Sequence, residues 1–312
     1  MELFVVANFV LACCWKVPRL PVLGETLRAS GLSMEAGGKG LNVAVGARRL
    51  GNAVEALFGI GDDLAGDSLL GLLTREGISG AHVYRLSGPS GHGAGFIDAE
   101  GGNAIAVYPG ANLLLHAGHA ALAEPEISRA GWVYGQFETS LAALLGCFQL
   151  AKRHGVPTML NPSPWQAVSA ELLALTDVLL VNEIEAVALL GLKAPLSGGL
   201  AECAAKLEAK RGLLGAHILV VTLGELGAVA LRPDQAAIMS PGFKITAMDT
   251  VGAGDAFAAG LLHKLGANAA FAEALLFANA CGALVASRSG VLEALPALET
   301  VEKFMAEYRS PL

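Results

Sequence analysis

The stretch that decides the fold of this chain reads Asp249-Thr250-Val251-Gly252-Ala253-Gly254-Asp255-Ala256-Phe257. Its two glycines come just before an apolar, alanine-rich run with helical spacing. Glycine lets the backbone bend so that successive amide N–H groups point to one side, and the helix that follows adds the positive end of its dipole at the same place. The pattern therefore predicts a binding site for an anion that needs no basic side chain.

Asp255 lies at the edge of this predicted anion site. A carboxylate repels an anion, so its position indicates a different task, which is to accept a proton. A hydroxyl that attacks a phosphate has such a proton to lose, and aspartate is a suitable acceptor. The same pattern also fits a simple loop-to-helix turn capped by Asp255, so the rest of the chain must decide between the two interpretations.

Composition limits the class of protein. The chain has 312 residues, of which 54% are hydrophobic and 16% charged, so we expect a large filled core in one α/β domain with a small attachment. The formal net charge of −7 argues against a nucleic acid or an anionic membrane as partner. Aromatic residues make up only 6%, and no basic run is interleaved with them, which argues against stacking on single strands.

The cysteines and the N-terminal segment predict a cytoplasmic protein. The five cysteines form no CxxC spacing, so neither a disulfide framework nor a zinc site is indicated. The segment from Leu3 to Trp15 is almost wholly apolar, but Glu2 stands where a signal peptide needs positive charge. We expect a buried strand at Leu3–Val6, with a signal peptide as the alternative.

A second glycine cluster lies near the front of the chain. Gly37-Gly38-Lys39-Gly40 opens a helix of small residues that ends at Gly51. Glycines let a ligand approach the backbone closely, and Lys39 and Asn42 could then contact hydroxyls or a phosphate. The alternative is a tight joint between a strand and a helix.

The middle of the chain alternates strands and helices, which predicts a parallel sheet covered on both faces. Strands are predicted at 54–60, 132–136, 157–161, 178–182 and 218–222, and helices at 68–76, 141–154, 166–174, 185–190 and 201–210. A hairpin is predicted from Gly93 to Val107 around the turn at 98–102. Ligands of such sheets bind beyond the carboxyl ends of the strands, which here carry Gln136 with Glu138, Asn161, Asn182 with Glu185, and Thr222 with Gly224.

The motifs together resemble those of the ribokinase-like (phosphofructokinase-B type) sugar kinases. They are, in order, Gly37-Gly38-Lys39-Gly40-x-Asn42, Asn161-Pro162, Asn182-x-x-Glu185, Thr222-Leu223-Gly224, and the stretch from Asp249 to Asp255. This resemblance covers nearly the whole chain. It implies a doubly wound, mainly parallel sheet with helices on both faces, and a small β-sheet lid formed by residues 12–35 and 93–112.

The resemblance also implies the roles of individual residues in a kinase that uses Mg-ATP. Asp255 would be the general base, and Gly252, Ala253 and Gly254 the anion hole. The sugar would be bound by Gly38, Lys39, Gly40, Asn42, Glu138 and Asp255. The nucleotide and its magnesium would be bound by Asn182, Glu185, Thr222, Gly224, Gly227 and Asn279. Glu138 equally well fits a helix cap.

Two further expectations come from the same resemblance. A potassium site would use the carboxylate of Asp249 and backbone carbonyls of Val251, Val285, Arg288 and Gly290. A homodimer would cover the exposed edges of the lid.

The chain departs from the family pattern after its first strand. Family members usually place an asparagine and an aspartate there to bind sugar hydroxyls, and the matching positions in this chain hold Val10 and Ala12. Losing a charged acceptor removes about 1.5–3 kcal/mol from a hydroxyl contact. The substrate is therefore expected to lack a hydroxyl at this point, to carry an apolar group, or to be held differently, for example by Asn8.

The sequence thus predicts an ATP-dependent kinase of a ribose-like or related sugar. A nucleoside kinase and a sugar-binding regulator without turnover are the alternatives. A nicotinamide-dependent oxidoreductase would need GxGxxG after the first strand, and residues 8–14 contain no glycine.

Overall fold

Two separate sheets organise the fold in the computed structural model, which describes residues 1–98, 100, 102–214, 217–233 and 235–309. The strands, numbered in chain order, are β1 (Glu2–Val6), β2 (Val10–Lys16), β3 (Gly31–Gly37), β4 (Ala53–Ile60), β5 (Val83–Arg85), β6 (Gly91–Ile97), β7 (Asn103–Tyr108), β8 (Trp132–Gln136), β9 (Thr158–Asn161), β10 (Val178–Asn182), β11 (Ile218–Thr222), β12 (Gly227–Leu231) and β13 (Ile238–Pro241). The helices are α1 (Lys39–Arg49), α2 (Leu64–Glu76), α3 (Ala117–Leu122), α4 (Glu124–Arg129), α5 (Leu141–Arg153), α6 (Ala170–Ala174), α7 (Glu183–Leu189), α8 (Leu200–Glu208), α9 (Ala253–Gly266), α10 (Phe271–Ala286) and α11 (Leu298–Arg309).

Within the described residues, the larger sheet has nine strands in the order β13-β12-β11-β10-β9-β8-β1-β4-β5. All neighbours from β11 to β5 are parallel, whereas β12 and β13 add to β11 as antiparallel edge strands. Its central strands are apolar on both faces because helices cover both sides. The carboxyl ends of β1, β8, β9, β10 and β11 therefore meet at one edge, which we call the carboxyl edge.

Each face of the larger sheet has its own hydrophobic core. Helices α1, α2, α9, α10 and α11 cover one face, where Phe58, Leu69, Phe277 and the buried part of α9 pack together. Helices α3 to α8 cover the other face around Phe4, Leu144 and Phe148. The doubly wound, mainly parallel arrangement predicted from the sequence is thus confirmed.

The second sheet has four strands in the order β3-β2-β6-β7. It confirms the predicted small sheet, although its strands lie at 10–37 and 91–108 rather than 12–35 and 93–112. The second segment ends early because residues 110–114 form a 3₁₀ turn that brings Asn112 into the interior. Residues 99 and 101 of the predicted hairpin turn lie outside the described residues, while Asp98 Oδ1 accepts hydrogen bonds from the amides of Glu100 (2.9 Å) and Gly102 (2.7 Å).

The join between the two sheets runs through residues 7–9. The side chain of Asn112, fully buried, accepts a hydrogen bond from the Phe9 amide (2.8 Å) and donates one to the Phe9 carbonyl (2.8 Å). It thereby pairs with Phe9 as a neighbouring strand would. The backbone is fixed where it passes from β1 to β2, and both sheets border the carboxyl edge.

Several elements differ from the sequence prediction. Helix α2 starts at Leu64 instead of Ser68, because Asp63 caps it by accepting a hydrogen bond from Gly66 N at 2.8 Å. Helix α6 covers only Ala170–Ala174 of the predicted range. The antiparallel edge strands, the short β5, and helices α3, α4, α10 and α11 are additional. No helix in the described ranges has the length and apolar character needed to cross a membrane.

Candidate active site

Helix α9 begins directly at the carboxyl edge, in the stretch that opened the sequence analysis. Gly252 precedes it with a φ of 80°, a left-handed conformation that favours glycine. Because the first amides of a helix have no intrahelical acceptor, the N–H groups of Gly254 and Asp255 are not used within α9. The start of the helix thus has the donors and the dipole direction that an anion requires.

The two glycines of this turn have different surroundings. A Cβ atom added to Gly252 would lie 2.5 Å from Val291 Cγ1, so packing within the protein requires a glycine there. A Cβ atom added to Gly254 would meet no atom within 4 Å. Gly254 is exposed, and no described atom of the chain fills the space beside it. This open space lies at the positive end of the helix, where a phosphate could approach the backbone.

Asp255 is in the first turn of α9 and is only 6% exposed. Its Oδ2 accepts a hydrogen bond of 2.7 Å from Asn42 Nδ2 on α1, and its Oδ1 lies 4.0 Å from Lys39 Nζ. Lys39 remains partly exposed, so this loose ion pair borders solvent. Asp255 Oδ1 is therefore the oxygen that an incoming hydroxyl can approach.

Burial raises the pKa of Asp255 to about 6. The positive charge of Lys39 and the hydrogen bond from Asn42 both lower this pKa, and the negative charge of Glu138 raises it. Loss of hydration is the largest of these effects, because the charged carboxylate is taken out of water. Asp255 is thus ionised at neutral pH but binds a proton more readily than an exposed aspartate, which suits a general base.

A buried polar network joins the start of α1 to the carboxyl edge. Glu138 Oε2, just beyond β8, accepts hydrogen bonds from Asn8 Nδ2 (2.9 Å) and from the Lys39 amide (3.0 Å). Asn8 Oδ1 accepts from the Gly40 amide (2.9 Å) and from Gln136 Nε2 (3.1 Å). Asn8 and Glu138 therefore satisfy the first amides of α1 and fix Lys39 next to Asp255.

The glycines Gly38 and Gly40, at the start of α1, are explained by close packing around Asn8. A Cβ atom on Gly40 would lie 2.4 Å from Ala7 Cα, and one on Gly38 would lie 2.7 Å from the Asn8 carbonyl. The tight joint of strand and helix considered in the sequence analysis is thus present. Asn8 is fully buried and engaged by three groups, so it does not replace Val10 or Ala12 as a surface for sugar hydroxyls.

Asn182 and Glu185 form a reciprocal cap at the start of α7. Asn182 Oδ1 accepts from the Glu185 amide (2.9 Å), and Glu185 Oε2 accepts from the Asn182 amide (3.0 Å). Sequence analysis predicted these two residues as ligands and missed the cap, whose spacing is that of a capping box. The cap uses the single side-chain oxygen of Asn182 and one of the two carboxylate oxygens of Glu185. Thr222 pairs with Asn182 in register, which places all three at the carboxyl edge.

The remaining residues predicted for the nucleotide lie beyond β11. Gly224 has a φ of 55°, and a Cβ atom there would meet nothing within 4 Å. Gly227 instead packs tightly, since its Cβ atom would lie 2.1 Å from the Ser240 carbonyl. The side-chain Nδ2 of Asn279 donates to the Ser240 carbonyl and hydroxyl, both at 3.0 Å, and so holds the edge strand β13.

The structure brings together the two segments that carry the predicted potassium ligands. The amides of Met248 and Asp249 donate to the Ala286 carbonyl at 2.8 and 3.3 Å, which joins the Asp249–Val251 turn to the end of α10. Asp249 Oδ1 accepts from the Val251 amide at 3.0 Å. Val285, Arg288 and Gly290 lie in this second segment. The available donors are carboxylate and carbonyl oxygens, the type that a hard cation prefers. Among the described residues, no three His, Cys, Asp or Glu side chains are grouped as metal ligands.

Two residues near the site were not predicted from the sequence. Tyr134 on β8 is fully buried beneath α1 and α9, and Asn112 fixes the join between the sheets. A tyrosine in an otherwise apolar strand is a weak signal of a buried hydroxyl. Asn112 stands beside Gly110, in a segment that looks like an ordinary turn, so its sequence gave no sign of its contacts.

A doubly wound sheet that carries a separate four-stranded sheet beside its carboxyl edge defines the ribokinase-like class of α/β proteins. The chain belongs to the pfkB family of carbohydrate kinases, whose family model matches residues 5–298. The predicted function class, an ATP-dependent phosphotransferase that acts on a sugar hydroxyl, is thereby confirmed.

Named relatives support this assignment over almost the full chain. The chain is 32% identical to the ribokinase of Haemophilus influenzae, over 93% of each protein. It is 28% identical to the deoxyribokinase of Salmonella typhi, over 98% of this chain and 99% of that protein. The structure of Arabidopsis thaliana ribokinase complexed with ribose and ATP superposes with a TM-score of 0.89 and 26% identity, and the match covers 97% of this chain and 98% of that one.

Proposed function

We propose that this protein transfers the γ-phosphoryl group of ATP to a hydroxyl of a ribose-like sugar, with Asp255 as the general base. The observation that carries the proposal is the arrangement of Asp255. One carboxylate oxygen is held by Asn42 at 2.7 Å, and the other lies 4.0 Å from the partly exposed ammonium of Lys39, at the start of a helix whose first amides are not used within it. This arrangement combines a proton acceptor with an anion site.

In the proposed reaction, the acceptor hydroxyl lies against Asp255 Oδ1. Its proton moves to the carboxylate as its oxygen forms a bond to the γ-phosphorus, and the bond from that phosphorus to the leaving oxygen of ADP breaks. The amides of Gly254 and Asp255 stabilise the negative charge on the transferring group, while the amide of Ala253 donates to the Thr250 carbonyl at 3.3 Å. Lys39 keeps Asp255 ionised before the transfer and lies close enough to contact the acceptor.

For the nucleotide, we propose binding along the carboxyl edge from Asn182 to Gly224. Support comes from the parallel register of Asn182 with Thr222 and from the open space at Gly224. Gly227 and Asn279 both contact Ser240, and these contacts account for the two residues without a bound nucleotide. Magnesium, when bound to the phosphates, would neutralise part of their charge. Glu185 keeps one carboxylate oxygen that suits it, through water, and the Nδ2 group of Asn182 can donate to a phosphate oxygen.

For the monovalent cation, we propose potassium at the turn formed by Asp249 and Val251 against residues 285–290. The adjacency of these two segments and their oxygen donors support it. The site would lie directly before Gly252. A cation there would steady the turn from which α9 begins.

For the acceptor, we propose a sugar whose side facing β2 lacks a hydroxyl. Val10 and Ala12 lie on one face of β2, and directly opposite them in β6 are Gly91 and Gly93. Between β2 and β6 this face offers no polar side chain, whereas Glu35 of β3 lies opposite Ala12 on the other side. A sugar that lacks a hydroxyl toward β6 therefore fits this face better than a fully hydroxylated one. The base of a nucleoside would fit the same apolar face, which makes a nucleoside the second candidate.

An ATP-consumption screen tests the proposed function. The panel contains ribose, 2-deoxyribose, hexoses, sugar phosphates and nucleosides, each with and without potassium. We expect 2-deoxyribose to have a higher kcat/KM than ribose, and potassium to raise the rate. A preference for nucleosides would favour the second candidate, and no ATP consumption with any compound would favour a regulator without turnover.

The small sheet is proposed to act as a lid over the acceptor. It borders the carboxyl edge and is joined to the larger sheet at residues 7–9. Its closure would exclude water, which otherwise competes as the phosphoryl acceptor.

The activity is expected to fall as the pH drops through about 6. Asp255 must be ionised to accept a proton, and burial raises its pKa to about 6. Because Lys39 lowers this pKa, Lys39→Met should shift the acid limb of the kcat/KM profile to higher pH. Titration of ATP is the same in both proteins, so the difference between the two profiles reports on Asp255. Superimposable profiles would argue against Asp255 as the titrating group.

We also propose that two copies of the protein associate through their small sheets. Leu32 and Met34 are 60% and 59% exposed, and they share a face with Trp15, which stacks on Phe96. Leu32→Glu with Met34→Glu should convert a dimer into a monomer in sedimentation velocity experiments. Leu122→Glu, at an exposed position on α3, is the control and should leave the dimer intact. A wild-type protein that sediments as a monomer would contradict the proposal.

A further inference from the structure

Two buried polar atoms near Asp255 have no hydrogen-bond partner among the described residues. They are the hydroxyl oxygen of Tyr134 and the side-chain oxygen Oδ1 of Asn42. Tyr134 is fully buried and Asn42 is 5% exposed, so bulk water does not satisfy either atom. Leaving such groups unpaired in the interior destabilises the fold. One atom is a hydroxyl that can donate, and the other can only accept.

Both residues border the same interior region. Tyr134 projects from β8 into the core that α1 and α9 cover. Asn42 lies on α1 and reaches α9 through its hydrogen bond to Asp255. The first turn of α1 packs directly on the end of β1, as the position of Gly40 against Ala7 shows, and Tyr134 lies beside Val5 of β1 in register. Tyr134 therefore lies on the face of the sheet that α1 and α9 cover, the same face as the contact between Asn42 and Asp255.

The charges around Tyr134 keep its hydroxyl protonated. Burial raises the pKa of Tyr134 well above its ordinary value, and the charge of Asp255 raises it further, followed by Glu138 and Glu185. Asp255 is the most influential of the three charges. A neutral phenol in this place has a proton to donate, and the carbonyl oxygen of Asn42 is an acceptor without a donor.

We propose that Tyr134 donates a hydrogen bond to a water molecule that in turn donates to Asn42 Oδ1, and that this bridge positions Asp255. The side-chain amide of asparagine has nearly the same shape in either orientation. A donor on the Oδ1 side fixes the orientation in which Nδ2 points at Asp255. The opposite orientation would set the Asn42 oxygen against the carboxylate, and the carboxylate would then turn away from the acceptor.

This inference rests on the proposed role of Asp255 as the base, but its geometry can be tested separately. A crystal structure of the protein should show the Tyr134 hydroxyl within hydrogen-bond distance of a water molecule that also contacts Asn42 Oδ1. A structure in which Asn42 Oδ1 accepts from another group overturns the inference. This outcome does not depend on catalysis.

The kinetic test uses Tyr134→Phe, which removes only the hydroxyl. We expect kcat to fall about tenfold with the KM for ATP unchanged, because the base is misoriented while the nucleotide site is intact. Tyr84→Phe, whose ring packs on His119, is the control and should keep the wild-type kcat.

A double-mutant cycle shows whether Tyr134 acts through Asn42. In an Asn42→Ala background, Tyr134→Phe should have almost no further effect on kcat, because the link to Asp255 is already broken. The same tenfold loss in both backgrounds, or a wild-type kcat in Tyr134→Phe alone, overturns the inference. Full activity of Asp255→Asn in the same assay would instead refute the base, so the two failures are distinguishable.

Discussion

Replacing Asp255 with asparagine is expected to lower kcat by at least two orders of magnitude while ATP binding stays close to wild type. Asparagine keeps the shape of the side chain but cannot accept the proton from the attacking hydroxyl. The residue is buried and held by Asn42 at 2.7 Å, so the substitution leaves the surrounding contacts largely in place. ATP consumption with the best acceptor from the screen measures kcat, and calorimetric titration measures nucleotide binding.

Asp67→Asn is the matched control for this prediction. Asp67 is an exposed carboxylate on α2 that pairs with Arg85. It contacts none of the residues assigned to the site, so its loss should leave kcat unchanged. Wild-type turnover by Asp255→Asn would remove Asp255 from the mechanism. Loss of ATP binding together with turnover would show that the residue acts on the nucleotide instead of the acceptor.

Replacing Gly254 with valine is expected to lower kcat about a hundredfold and to leave the thermal unfolding temperature unchanged. Apart from its chain neighbours and the backbone of its own helix, no described atom lies within 4 Å of a Cβ at this position, so the new side chain has space in the free protein. It would fill the place where the transferring phosphate contacts the first amides of α9. Losing one donor of such an anion hole typically costs a factor of 10² to 10³ in kcat.

At Gly252, only two residues away, a substitution is expected to reduce the stability of the fold. An alanine there must adopt a φ of 80° and would contact Val291 at 2.5 Å, so the free energy of unfolding should fall by roughly 1–3 kcal/mol. Thermal unfolding and kcat are measured for both variants. If Gly254→Val has wild-type activity, the phosphate does not bind at the start of α9.

The sequence was sufficient for the parts of the fold that depend on local patterns. Apolar strands such as β10 and β11, bounded by polar residues, were predicted to the residue, because burial on both faces leaves few alternatives. The small sheet was predicted from the family resemblance. Three of its four outer bounds differ from the prediction by two residues, and the last one, Tyr108 instead of residue 112, differs by four. The strands β12 and β13 were missed because the middle of the chain was interpreted as alternating strands and helices, whereas these two follow β11 as antiparallel neighbours with no α-helix between them.

The candidate site was only partly accessible from the sequence. The neighbourhood of Asp255, Lys39 and Asn42 followed from the motifs, since each lies at the start of a helix beside the carboxyl edge. What the motifs did not reveal was the use of Glu138 and Asn8 to satisfy the first amides of α1. Those contacts join residues 32 to 130 positions apart, and they depend on the packing of β1 between β4 and β8.

Residues 7–9, between β1 and β2, couple the position of the small sheet to the distance between Lys39 and Asp255. Phe9 is clamped by Asn112, and its neighbour Asn8 holds the amide of Gly40. If the small sheet rotates about Phe9, Asn8 moves with it. This movement displaces the first turn of α1, where Lys39 faces Asp255. An acceptor that pulls the sheet down would thus also adjust the proton affinity of the group that must deprotonate it.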